Sequence, residues 1–202
     1  RRRRMIWRVR RVLTGHDSDG KSTIIADGTA PNMKEMPSFP GLALTDLWET
    51  TGAPADNDGH KDAASRPVHL EPPKNGTIVR IVEFPPDSTR PQASDGSAGF
   101  KAIGAGHAQA KHSSDPMMHR TSTVDYIIVL KGEIYAVMEK GETLLKAGDV
   151  LIQRGTMHSW SVRSNEPCIV AAILVNAKPL SSSSKKKSSS KKPAKKAKKK
   201  KK

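Results

Sequence analysis

Two histidines and one aspartate in the C-terminal half of the chain have the side chains best suited to chemistry. His119, Asp125 and His158 lie beside short apolar runs. Because successive side chains of a strand point to opposite faces, histidines on two separate strands can meet inside a barrel. With an added carboxylate they could hold a divalent ion such as Fe, Mn, Ni, Cu or Zn. The first interpretation is therefore a metal site made of these three residues.

A second interpretation uses the same residues without a metal. His119 and His158 would then be pocket histidines that hydrogen-bond a ligand or each other, while Asp125 orients a histidine or pairs with Arg120. A histidine beside a carboxylate is a competent acid–base couple, because histidine titrates near neutrality. An inert site is the third alternative, and the residues alone leave all three open.

Short strands must position these residues. Glycine turns divide the C-terminal half into runs of apolar and β-branched residues, which predicts an antiparallel all-β sandwich or barrel. The six strands are predicted at Asp125–Leu130, Glu133–Glu139, Glu142–Lys146, Asp149–Gln153, His158–Arg163 and Cys168–Val175. No segment has a helical period.

The N-terminal half is less regular. Strands are predicted at Ile6–Thr14 and Ser22–Ala26, forming a hairpin, and at Leu42–Thr51 and Thr77–Phe84. The stretches Pro31–Pro40, Ala53–Asn75 and Asp87–Ser114 are rich in proline, glycine or polar residues and are expected to be loops. Phe100 is the large apolar anchor of the last loop.

Two spacings resemble a known family. His119-x5-Asp125-x6-Gly132 resembles the first cupin motif, and the run from Gly148 to His158 is similar to the second, with Gln153 where that motif has proline. The chain thus resembles small single-domain cupins (cupin type-2, RmlC-like jelly-roll). It departs from them in having aspartate in place of glutamate at position 125. With three residues before the acid, the second histidine slot of the first motif falls on Thr121. With four residues before it, the two histidine slots fall on Met118 and Arg120.

The resemblance implies a cupin-type jelly-roll β-barrel with an N-terminal hairpin extension. It also implies an enzyme acting on a small oxygenated organic molecule, by decarboxylation, dioxygenation, isomerisation or dehydration, with or without a divalent metal. His119, Asp125 and His158 would be its catalytic residues. The alternative is a non-catalytic small-molecule-binding cupin. Small cupins often dimerise through N-terminal strands, so a homodimer is expected.

Several further residues are candidates for the pocket or its rim. Trp160 lies two residues after His158, on the same side of the strand, and could stack on a substrate or fill the core. Tyr126 and Gln153 are candidate substrate contacts. The loop histidines His107 and His112 could supply a missing ligand or stay in solvent, and His16 and Asp17 could bond within their own turn or reach a partner or the pocket.

The charge is concentrated at the two ends. The net charge is +15, of which residues 1–4 carry +4 and residues 181–202 carry +12, which leaves the body at −1. The Ser/Lys tail predicts disorder and non-specific binding of polyanions such as nucleic acid. An added tag is the competing interpretation for the tail and for the arginine leader. The expected organisation is a leader (1–4), N-terminal strands and loops (5–115), a cupin core (116–177) and a tail (178–202).

The single cysteine bears on the compartment. Cys168 cannot form an internal disulfide, and its apolar surroundings predict a buried thiol. No apolar stretch approaches the roughly 18 residues that a membrane span needs. A cytoplasmic protein without membrane contact is therefore expected.

Overall fold

The computed structural model describes residues 5–91 and 96–181. The arginine leader and the part of the basic tail beyond residue 181 lie outside the described residues. Among those described, eleven strands and one short α-helix are found: β1 (Arg10–His16), β2 (Ser22–Thr29), β3 (Met33–Glu35), β4 (Ala43–Thr50), β5 (Thr77–Phe84), α1 (Ser97–Ala102), β6 (Thr123–Lys131), β7 (Glu133–Met138), β8 (Glu142–Lys146), β9 (Val150–Arg154), β10 (His158–Ser161) and β11 (Cys168–Asn176). A 3-10 turn at Asp87–Thr89 precedes α1.

Two antiparallel sheets form the body of the protein. The larger has six strands in the order β3-β4-β5-β11-β6-β9, and the smaller has three in the order β10-β7-β8. Val82, Ile127 and Val170 from the larger sheet share one core with Ile134 and Ala136 from the smaller. The molecule is therefore an all-β jelly-roll barrel, in which strands from the N-terminal half pair directly with those from the C-terminal half.

The first two strands form a separate hairpin. The base of this hairpin packs on the outer face of the larger sheet, where Val9 and Ala30 contact Ile81 and Ile169. Every residue of β2 is exposed, and β1 has no pairing partner other than β2 among the described strands. The hairpin therefore projects from the barrel beyond its base.

A long segment without strands, residues 51–76, crosses the barrel and is called the strap. Asp46 on β4 anchors it, accepting hydrogen bonds from Arg66 in the strap (2.7 Å) and from Arg80 on β5 (2.8 Å). Arg80 also donates to the carbonyl of Leu70 (3.3 Å). Arg11 on β1 donates to Asp62 at 2.9 Å. Ion pairs and carbonyl contacts thus fix the strap against the barrel.

Most strand predictions are confirmed to within a few residues, and Thr77–Phe84 and Glu142–Lys146 agree at both ends. The first strand begins at Arg10 instead of Ile6, because the preceding residues run along the barrel and the Trp7 amide donates to Glu83. Two predicted loops are wrong in part, since they contain β3 and α1. Both elements are short, and tertiary contacts such as the burial of Phe100 hold the helix.

Candidate active site

The two histidines lie side by side. His119, just before β6, and His158, the first residue of β10, exchange backbone hydrogen bonds of 2.9 Å in both directions. Their ring centroids are 4.3 Å apart and the rings are inclined at 53°. The sequence prediction that histidines from two distant segments meet is therefore confirmed.

Each imidazole is oriented by a carbonyl oxygen two residues earlier in the chain. Nδ1 of His119 lies 2.8 Å from the Met117 oxygen, and Nδ1 of His158 lies 2.9 Å from the Thr156 oxygen. Because a carbonyl can only accept, each Nδ1 must carry the hydrogen. Each Nε2 of a neutral ring is then left with a free lone pair.

Burial keeps both rings neutral. Burial, together with the smaller effect of the neighbouring His119, lowers the pKa of His158 to about 3. Burial also lowers the pKa of His119 below its usual value. At neutral pH the pair therefore presents two hydrogen-bond acceptors rather than a cation.

Asp125 enters the same cavity from the middle of β6. The strand alternates strictly at this point, so that Thr123, Asp125 and Ile127 face inward. The Asp125 side chain is buried, and its Oδ1 has no hydrogen-bond partner among the described residues. Burial raises its pKa to about 6, and a hydrogen bond from Thr123 and the charge of Arg80 offset part of that rise.

The positive charge of Arg80 lowers the pKa of Asp125, but no hydrogen bond joins the two side chains. The guanidinium is committed to Asp46, its cross-strand neighbour on β4, and to the carbonyl oxygens of the strap. Sequence analysis did not single out Arg80. An arginine at an inward position of the apolar run Thr77–Phe84 was the available signal, because a cation buried there must have a partner.

The cavity around these groups is mostly apolar. Its volume is about 140 Å³, and its walls come from both sheets and from the segments that carry Phe39 and Phe100. His119, His158 and Asp125 all line it, together with Thr121. A ligand here would be largely desolvated, so that its few polar contacts would be strong.

The donor set does not fit the three-ligand metal centre expected from sequence. Among residues 5–91 and 96–181, no group of three His, Cys, Asp or Glu side chains is placed to hold a metal ion. Asp125 stands on the larger sheet beside Thr123, whereas the histidine pair is built around the first residue of β10. Thr121 occupies the slot where a further histidine would lie. The imidazoles and the carboxylate share a cavity but do not converge on one point.

The three predicted substrate contacts have different outcomes. Trp160 lines the cavity and meets the His158 ring edge-on, with centroids 5.6 Å apart. The position of Tyr126 corrects the prediction, because strand alternation places it on the outer face, 41% exposed. Gln153 is buried next to Asp125 in the sheet, but it faces a neighbouring cavity and donates to Thr156.

The outlying candidates stay outside the cavity. His107 is exposed and bonds to Glu71 at 3.0 Å, and His112 is exposed as well. Asp17 accepts two backbone amides of its own turn, which confirms the local interpretation. Cys168 is a buried free thiol, as predicted. In the part of the chain that the structure describes, no helix is long and apolar enough to cross a membrane.

Comparison with known proteins gives relatives from fungi. No family model matches the chain. The phomopsin biosynthesis cluster protein C' of Diaporthe leptostromiformis is 29% identical over 84% of this chain and 79% of that protein. The cupin-domain-containing oxidoreductase virC of Hypocrea virens is 26% identical over 86% and 78%. The oryzines biosynthesis cluster protein J of Aspergillus oryzae is 29% identical over 85% of each chain.

Solved structures are more distant. The Cnp3 cupin domain of Schizosaccharomyces pombe has a TM-score of 0.40 and 12% identity, covering 84% of this chain and 89% of that one. A cupin 2 conserved barrel domain protein of Salinispora arenicola has a TM-score of 0.37 and 11% identity, covering 71% and 82%.

Proposed function

We propose that the chain is a cupin-domain enzyme that moves a proton on a small, largely apolar, oxygenated organic molecule. Isomerisation and dehydration are the reactions of this kind. The observation that carries the proposal is the carboxylate of Asp125, one oxygen of which has no partner among residues 5–91 and 96–181 and lies inside an apolar cavity. With a pKa of about 6 this group is ionised at neutral pH, yet basic enough to accept and return a proton.

The balance of the reaction needs one residue. Asp125 removes a proton from a carbon next to a carbonyl. The electron pair of the broken C–H bond forms a C=C bond to the carbonyl carbon, and the C=O π pair moves to the oxygen to give an enolate. In an isomerisation of an unsaturated ketone, the C=O bond re-forms, the electron pair shifts through the conjugated C=C bond, and the proton held by Asp125 is added to the far carbon. In a dehydration it goes to a leaving hydroxyl, which departs as water. No oxidant or reductant is consumed in either case.

The histidine pair orients the substrate. Two neutral Nε2 atoms accept hydrogen bonds from hydroxyl groups, and Trp160 with Phe100 covers the apolar part. A divalent metal would supply polarisation of a carbonyl or activation of oxygen, but no group of three His, Cys, Asp or Glu side chains among the described residues is placed to hold one. The proposed proton transfer needs no metal.

Oxidation is the second candidate, and the names of the relatives favour it. Among them, virC of Hypocrea virens and fogC of Aspergillus ruber are named cupin-domain-containing oxidoreductases. Relatives from the phomopsin and oryzines clusters suggest that the substrate belongs to small-molecule biosynthesis. An oxidation would need an external oxidant such as dioxygen, and consumption of dioxygen distinguishes it from proton transfer.

The deciding experiment compares Asp125→Asn with wild type. The substrates are small enolisable hydroxy-ketones in deuterium oxide, and exchange of the C–H proton is followed by NMR. The variant is expected to lose about 10²- to 10⁴-fold in exchange rate, since it keeps the shape but not the base. Tyr126→Phe, on the outer face, is the matched control and should be unchanged.

Other outcomes separate the alternatives. Dioxygen uptake with stoichiometric metal in the purified protein would favour the oxidative reaction. Binding of the same compounds without exchange, at equal affinity in wild type and Asp125→Asn, would support a non-catalytic binding cupin instead. Unchanged exchange in Asp125→Asn would overturn the role given to this residue.

We also propose that the protein is a homodimer in the cytoplasm. Val12, Ile24 and Ile25 are exposed on the hairpin, and a two-stranded hairpin is marginally stable alone. Tyr126, Val150 and Ile152 are exposed on the outer face of the larger sheet. A second copy of this chain could cover both apolar surfaces at once. The buried free Cys168 is compatible with a reducing compartment.

A further inference from the structure

A second cavity, separate from the candidate active site, lies at one end of the barrel and is called the end pocket. Three segments form it: residues 120–124 leading into β6, the end of β9 at Arg154 and Gly155, and residues 177–180 after β11. The amide of Ala177 bonds to the Ser122 oxygen at 2.9 Å and ties two of these segments together. The cavity volume is about 220 Å³.

The lining of the end pocket has one sign of charge. Arg120, Arg154 and Lys178 line it, with the hydroxyl residues Ser122 and Thr121, and no acidic residue is among its lining residues. This concentration is local, because the body of the chain has a net charge near zero.

The arginines here differ from most others in the described residues. Arginines elsewhere pair with carboxylates: Arg10, Arg11, Arg66, Arg80, Arg90 and Arg163. Within residues 5–91 and 96–181, no ion-pair partner is found for Arg120, Arg154 or Lys178. Two arginines and one lysine, all with exposed side chains, border this concave surface, and such a concentration of positive charge favours an anion.

We propose that the end pocket binds a small oxyanion, either a phosphate or a carboxylate. Arginine forks match both groups in geometry, and the Ser122 hydroxyl supplies a further donor. The Thr121 and Thr123 hydroxyls bond to each other at 2.6 Å. Thr121 lines both the end pocket and the central cavity, so that an anion bound here lies next to the proposed active site without using any of the groups that carry its chemistry.

The test uses the full chain, titrated with inorganic phosphate and with citrate at constant ionic strength in sodium chloride. Binding is measured by calorimetry on wild type, on Arg120→Gln/Arg154→Gln and on the control Arg8→Gln/Lys140→Gln, which loses the same charge at exposed sites. The basic tail is common to all three proteins. We expect the dissociation constant to rise at least tenfold in the end-pocket variant and to stay within twofold in the control.

Comparing the affinities for the two anions identifies the chemical class of the ligand. Tighter binding of phosphate indicates a phosphorylated ligand, and tighter binding of citrate indicates a carboxylic acid. Equal dissociation constants in all three proteins would overturn the proposal and assign anion binding to the tail. If the double variant does not fold, the single variant Arg154→Gln gives the same comparison with a smaller expected rise, and an unchanged value there would also overturn it. Either result is independent of proton transfer by Asp125.

Discussion

The two faces of strand β6 are made from the same strand but have opposite properties. Asp125 faces inward, where burial raises its pKa and leaves one oxygen without a partner. Tyr126, the next residue, is 41% exposed on the outer face. A step of one residue thus separates a desolvated carboxylate from a solvated aromatic ring. Strand phase, rather than local composition, therefore decides which side chains of β6 are desolvated in the cavity.

The largest loss of stability should come from replacing Arg80, whose side chain is buried inside the barrel. In Arg80→Met, Asp46 loses one of its two guanidinium partners in a fully buried position, and the Leu70 carbonyl loses a donor. Removing one partner of a buried pair costs about 3–5 kcal/mol. Urea unfolding should show a fall in the free energy of unfolding of this size.

The double variant Arg80→Met/Asp46→Leu sharpens the interpretation. It removes both buried charges of the pair, and Arg66 retains Glu49 at 2.7 Å. More than half of the lost stability should then return, because apolar groups of similar volume replace buried ion pairs with little penalty. If the losses of the two single variants simply add, the pair does not act as a unit and the explanation fails.

The pH dependence of stability tests the inner carboxylate next. The folded pKa of Asp125 is about 6, above its ordinary value of 3.8. Its contribution to stability is therefore complete below about pH 3.8 and is lost as the pH rises through 6. Relative to Asp125→Asn, wild type should lose about 3 kcal/mol over this interval.

The free energies of unfolding of wild type and Asp125→Asn must be subtracted at each pH, because His158 changes stability with pH in the opposite direction. Its folded pKa of about 3 is below the ordinary 6.5, so its contribution is present above pH 6.5 and is lost as the pH falls. Both proteins contain His158, and the difference in unfolding free energy isolates Asp125. A difference that does not vary between pH 4 and pH 7 would show that Asp125 is not desolvated.

The smallest effect on the folded chain should come from the outer face. In Tyr126→Ser/Ile152→Ser, two cross-strand neighbours exposed to solvent become polar. Exposed substitutions usually change the free energy of unfolding by about 0.5 kcal/mol or less. If this face lies in the proposed dimer, sedimentation should nevertheless show self-association weakened at least tenfold. Met5→Ser, which changes an 86% exposed side chain before the hairpin, is the control, and equal association in both variants would exclude this face.

Sequence alone predicted the barrel well, because glycine turns and apolar runs are local signals. The strand Thr77–Phe84 was predicted at both ends for this reason. The meeting of His119 and His158 was also predicted from two-residue periodicity. Tyr126 was also predicted as a substrate contact, although the same rule places it, as the neighbour of Asp125, on the opposite face. The distance between Asp125 and the histidines depends on how one sheet packs against the other. A local sequence pattern does not predict that packing.

The strap remained unpredictable for a similar reason. Its prolines and polar residues indicated a loop, and the side chains that hold it belong to distant strands. Nothing in residues 51–76 indicates that Arg80 and Asp46 would reach them. The pairing of these two strand residues is a property of register, which becomes visible only when β4 and β5 are aligned.

The anchoring of the strap has a consequence for the order in which the molecule comes apart. A long segment without strands would ordinarily be the first to be cut by a protease. Here its ties run to Asp46 and Arg80, whose side chains are almost inaccessible, so that releasing the strap requires opening the barrel itself. The anchored part of the strap, residues 62–70, therefore belongs to the same cooperative unit as the core. Residues 53–61 of the strap are exposed, as is the hairpin turn around Gly20, and limited digestion should begin at these two places.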